Sequence, residues 1–82
     1  MTKTDKLRQR LLSRPKDFTW AELLLLMRSF GFELKVTGGS GRKFKHPDTH
    51  ASLFIHEPHP DKTLKSYQVR DAIDLLRGEG FL

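Results

Sequence analysis

The chain has 82 residues and no cysteine, which allows one small domain and excludes disulfide staples and thiolate metal sites. Lys and Arg number 15 against 10 Asp plus Glu, a formal charge of +5, so the excess favours a polyanionic partner such as nucleic acid or an acidic protein. No apolar run approaches membrane-spanning length and the first residues are too polar for a signal peptide, so a cytoplasmic protein without a membrane partner is expected.

In chain order, Asp5 to Leu12 reads as a short amphipathic helix. Leu7, Leu11 and Leu12 share a face, and Lys6, Arg8, Gln9 and Arg10 cover the rest. Pro15 ends it or lies just beyond. Phe18 to Gly31 is a second helix. Thr19-Trp20-Ala21-Glu22 has the form of a capping box. Phe18 is placed to pack on Leu23 as a hydrophobic staple, and Gly31 supplies a left-handed C-terminal cap. The body from Leu23 to Phe30 is apolar nearly all round, so it packs on two neighbours or shows one side to a partner.

Three strands follow, at Phe32–Val36, Arg42–His46 and Ala51–His56. Gly38-Gly39-Ser40-Gly41 permits the first reversal, and Pro47-Asp48 the second. If Phe32, Leu34, Val36, Phe44, Leu53 and Ile55 face inward, the period of two sends Glu33, Lys35, Lys43, Lys45, Ser52, Phe54 and His56 outward. That outer face suits RNA or phosphate, or is an ordinary solvated face. The hairpin tip, with backbone N–H groups beside Arg42 and Lys43, likewise reads as a phosphate cradle or as two solvated cations. Glu57-Pro58-His59-Pro60-Asp61 cannot be regular structure. A third helix runs from Ser66, as N-cap, to Arg77, with Val69, Ala72, Ile73 and Leu76 as its buried stripe and Gly78 as its C-cap. Phe81 and Leu82 are placed to fold back on the core.

The histidines His46, His50, His56 and His59 crowd into one stretch. A zinc site is weighed and set aside, because no cysteine helps and the spacing fits no recognised ligand pattern. No cofactor is implied. The glycine-rich turn lacks the P-loop spacing, and no Ser-His-Asp order or paired-carboxylate pattern stands out. What remains is imidazole near cations on a sheet. Cutting RNA without a metal needs a base for the 2′-hydroxyl, an acid for the leaving oxygen and positive charge for the phosphorane. Histidine can serve as base or acid, and lysine or arginine supplies the charge.

Gly39-Ser40-x-x-x-Phe44-Lys45-His46-Pro47, followed by His59-Pro60-x-x-x-Leu64-Lys65-x-x-x-Val69-Arg70, resembles the HicA family of bacterial toxins. The resemblance covers the chain from about Thr19 onward. It implies a small mRNA interferase, similar in fold to the double-stranded RNA-binding domain and neutralised by a HicB antitoxin. The family's catalytic histidine follows Gly-Ser, and here that position is Gly41. Either another histidine does the chemistry from the neighbouring strand, or the protein binds RNA without cutting it.

The expected architecture is a single α+β domain over 1–82, with a three-stranded antiparallel sheet and helices on one face. Residues 1–17 form an N-terminal helical extension and 18–82 the core. The expected function is a toxin-type endoribonuclease acting on mRNA, with His56 as the acid–base residue and His59 as the second candidate. Lys35, Ser40, Gly41, Arg42, Lys43 and Lys45 would contact RNA, and no small-molecule substrate is implied. The alternatives are a non-catalytic RNA-binding module and an interaction domain that docks an acidic protein.

Overall fold

The computed structural model describes residues 3–82, in which the elements run α1 (Lys3–Leu12), α2 (Trp20–Ser29), β1 (Glu33–Val36), β2 (Gly41–Lys45), β3 (Ser52–His56) and α3 (Ser66–Gly78). This is the expected α+β arrangement of three helices and one antiparallel sheet. The strands form a meander in the order β1-β2-β3. No helix among the described residues is long and apolar enough to cross a membrane.

Helix α2 starts and stops where its sequence says it should. Thr19 Oγ1 accepts the Glu22 N–H at 3.2 Å, and the Glu22 carboxylate accepts the Thr19 N–H at 3.1 Å. Both halves of the capping box are therefore formed. Phe18 and Leu23, the expected staple pair, are fully buried in the same core. At the other end Gly31 takes φ +95°. Its N–H donates to the Arg28 carbonyl and the Phe32 N–H to the Met27 carbonyl, the bond pair of a Schellman ending.

Helix α3 is ended by the same device, two residues later than expected. Gly80, not Gly78, is the left-handed residue, with φ +81°. The Gly80 N–H reaches the Arg77 carbonyl and the Phe81 N–H reaches the Leu76 carbonyl. This turn sends Phe81 back over the core, where its ring lies 5.3 Å from Phe30, 5.4 Å from Phe32 and 5.3 Å from His46. The start of α3 also differs. Lys65 is the N-cap and Ser66 already lies in the helix. Gln68 reaches back over this start, its Oε1 accepting the Lys65 N–H at 3.0 Å.

The sheet register puts Leu34 opposite Phe44 and Phe44 opposite Leu53, with Arg42 between Val36 and Ile55. Phe44, Leu53 and Ile55 are buried as expected, but Val36 is 69% exposed. Val36 has inward parity, yet it sits at the hairpin end of the edge strand, with the polar residue Arg42 as its only strand neighbour. Period two assigns a face, and burial further requires something above that face.

Residues from all three helices and the inner sheet face form one core. Leu7 and Leu11 bring α1 into it, and the Trp20 ring meets Phe44 at 5.6 Å. A short antiparallel bridge, Thr19 to Thr63, ties the start of α2 to the segment before α3. The helices lie on one side, so Ser52, Phe54 and His56 on the other side of β3 stay exposed.

Candidate functional site

The outer face follows directly from the register. Three cross-strand rows run over it: Glu33, Lys45 and Ser52; then Lys35, Lys43 and Phe54; then Gly41 and His56. Residue 56 therefore stands beside residue 41 across the β2–β3 pair. Its imidazole is exposed, with Nδ1 3.3 Å from Ser40 Oγ and the ring edge-on to Phe54 at 5.3 Å. The backbone beneath it is pinned from two sides. The Glu57 N–H donates to the Ser40 carbonyl at 2.8 Å. Gln68 Nε2 donates to the His56 carbonyl at 3.0 Å. A solvent-facing ring thus stands on a fixed strand end.

Beside this ring opens a cleft of about 530 Å³, whose lining includes Ser40, His56, His59, Lys65, Tyr67 and Gln68. His56 and His59 thus border one cavity. His59 also borders a smaller cavity of about 230 Å³ with Gly39, Arg42 and Lys62. Neither Lys65, which the resemblance motif contains, nor Tyr67 is among the site residues expected from the sequence. The available signal was Gln68, three residues after Lys65, whose side chain ties the start of α3 to the end of β3.

The cations named from the sequence are not gathered in one place. Lys35 and Lys43 form a cross-strand pair on the outer face. Lys45 is at the far end of the strand, paired with Ser52, four residues and roughly 13 Å from the Gly41–His56 row. Arg42 has the opposite parity. Its Nη1 donates to the carbonyls of Gly39 and Gly41, at 3.0 and 2.8 Å, and its Nε lies 3.4 Å from Glu57. It braces the hairpin tip from beneath and does not join the lysines above. The Gly41 N–H is also engaged, by the Gly38 carbonyl. Among the described residues, the N–H groups of Gly38, Gly39 and Ser40 at the tip have no partner.

Glu57 gathers two cations. Lys62 Nζ is 2.6 Å from its other oxygen. This hydrogen bond, against a smaller opposing effect of burial and with help from the charges of Lys62 and Arg42, holds the carboxyl below the usual carboxylate range. Glu57 is therefore a carboxylate at neutral pH and offers no proton to a leaving group.

The other two histidines lie apart. His46 is buried, with Nε2 3.0 Å from the Phe30 carbonyl and Nδ1 accepting the N–H groups of Asp48 and Thr49. His50 follows the β2–β3 turn, with φ +60°. Both are at the Lys45–Ser52 end of the sheet, opposite to His56. Among the described residues no three His, Cys, Asp or Glu side chains are grouped to hold a metal.

Gly41 does not need left-handed backbone. What it needs is space, because a Cβ there would collide with Thr37 Oγ1 and come within 3.3 Å of both the Gly38 carbonyl oxygen and the Phe54 ring.

No curated protein and no solved structure matches the chain. The model of a protein family described as HicA toxin of bacterial toxin-antitoxin matches residues 20–77, from the first residue of α2 to the last turn of α3. This match spans most of the sequence and contains the whole sheet and both histidines of the cleft, so the chain belongs to the HicA toxin family.

Proposed function

We propose that the protein is the toxin of a toxin–antitoxin pair, a single-domain endoribonuclease that cleaves mRNA in the cytoplasm without a metal and is neutralised by a HicB-type antitoxin. Family membership supports the toxin role and ribonuclease chemistry. The observation that carries the rest is the position of His56. It stands beside Gly41, the residue in the family's histidine position by the resemblance, in a cleft that also holds His59 and Lys65.

The chemistry needs three contributions. With Nδ1–H donated to Ser40 Oγ, His56 Nε2 has a free lone pair and takes the proton of a 2′-hydroxyl. The 2′-oxygen attacks the adjacent phosphorus, the bond to the 5′-oxygen breaks, and His59 as imidazolium gives that oxygen its proton. The products are a 2′,3′-cyclic phosphate and a 5′-hydroxyl. Lys65 in the cleft, Lys43 and Lys35 on the sheet, and the free N–H groups of the hairpin tip stabilise the negative phosphorane.

His56→Ala is expected to slow cleavage of a short labelled RNA by about a hundredfold or more, with thermal unfolding and RNA retention nearly unchanged. A 2′-deoxy substitution at the cut site should stop the reaction. Cleavage by His56→Ala at the parental rate would remove His56 from this role. A second reading, an RNA-binding module that does not cut, is favoured by Gly41 itself, which has no side chain to move a proton. Retention of RNA by the parent protein with no cleavage would establish it.

A further inference from the structure

A second cleft, of about 620 Å³, lies between the α1–α2 connection and the start of α3. Arg14, Lys16, Lys65 and Arg70 line it, over an apolar floor that includes the buried residues Leu64 and Val69. No carboxylate is among its lining residues. Arg70 has a partner in Asp71 at 3.8 Å, but both side chains are more than half exposed, so that pairing neutralises little. No carboxylate pairs with Arg14, Lys16 or Lys65 among the described residues. Four exposed cations thus surround one hollow, three of them without a carboxylate partner among the described residues, an arrangement that favours an anion there.

The choice of anion follows from where the hollow lies. Lys65 lines both this cleft and the cleft of His56 and His59. The two cavities therefore adjoin at Lys65, and a chain of regularly spaced negative charges in the first leads into the second. We propose that the Arg14–Lys16–Arg70 cleft binds the phosphodiester backbone of single-stranded RNA adjoining the cut site, with the strand crossing at Lys65. This rests on the assignment of RNA to the His56 cleft. It adds a second binding site on the helical side of the molecule, formed partly by residues that precede the family match.

The test removes three cations that are outside the His56 cleft, in the triple variant Arg14→Gln, Lys16→Gln, Arg70→Gln. The probe is a fully 2′-O-methylated, uncleavable RNA of about a dozen nucleotides. Its affinity should fall about tenfold or more, and the slope of log affinity against log salt should flatten by about two units, at roughly 0.7 per phosphate contact for a single strand. Circular dichroism and thermal unfolding should match the parent or improve, since repulsion is relieved. A cleavable trinucleotide, too short to span both clefts, should be cut at parental rate. Loss of RNA affinity in the triple variant upholds the inference even if the parent never cuts RNA, which is how it separates from the catalytic reading. Unchanged RNA affinity and salt slope overturn it. Unchanged RNA affinity with lost binding of polyglutamate overturns it in favour of an acidic protein partner.

Discussion

His46 and His56 are the same side chain in opposite surroundings, the one buried and the other exposed. At His46 every polar atom is occupied. Nε2 donates to the Phe30 carbonyl, Nδ1 accepts two turn N–H groups, and the ring is edge-on to Phe32 at 5.1 Å. Gly31 leaves room for it, since a Cβ there would lie 3.0 Å from Nε2. His46 therefore joins the end of α2 to the β2–β3 turn. His46→Ala should cost about 2–4 kcal/mol, from the lost packing and the buried groups left unpaired. Urea denaturation would read this as a lower midpoint at unchanged slope, whereas His56→Ala should leave the midpoint near the parental value. Strand parity sends His56 outward, but spacing does not show that His46 is buried, because burial depends on which residues cover each ring. Arg42 and Val36 teach the same lesson. Strand parity gives both the inner side, although the expectation for Arg42 was a phosphate contact, and whether a position there holds a buried methyl group or a brace to Glu57 depends on what lies above it.

At the scale of elements, the caps were the most legible feature. A capping box is a local pattern, and α2 begins at the residue it names. The end of α3 was less legible because Gly78 and Gly80 are both available within three residues, and only the position of Phe81 over the core selects the second. The junction of α1 with α2 was not legible at all. Arg10 Nε bonds Glu22 Oε2 at 2.7 Å, and its Nη2 reaches the carboxylate and carbonyl of Asp17 at 3.0 Å. Burial acts to raise the Glu22 carboxyl. Hydrogen bonds from Arg10 and Thr19 outweigh it and hold the group below the usual carboxylate range. A depressed folded-state value means stability that is complete above the usual range and lost as pH falls through it to the folded-state value. Stability should therefore decline on acidification from neutrality toward pH 3. In Arg10→Ala the decline should be shallower, because the group then titrates nearer to its unfolded value. Urea midpoints measured across that interval for both proteins would check the sign. Parallel curves would show that the Arg10–Glu22 pair contributes nothing to the acid limb.

At the scale of the whole molecule, the helices occupy one face of the sheet and leave the other to solvent. Leu7 and Leu11 show that α1 belongs to the same core as the family-matched segment, although it precedes that match. The fold class and both faces of the sheet were legible because a period of two is a property of neighbours in sequence. The cleft was not, because it forms where the end of β3 meets the start of α3, and Lys65 and Tyr67 carry no signal of that meeting. The same geometry grades the surface lysines. Lys43 is two residues from the Gly41–His56 row, roughly 7 Å along the strand, and Lys45 is four residues away, roughly 13 Å. Charge near the reacting phosphate stabilises the developing phosphorane, whereas charge farther off only holds the strand. Lys43→Gln should thus lower both the cleavage rate of bound RNA and the affinity. Lys45→Gln should weaken affinity alone, flattening the salt slope by about 0.7. Single-turnover cleavage at saturating protein separates the two effects. Equal rate losses in both variants would mean that the reacting phosphate does not lie at the His56 end of the sheet.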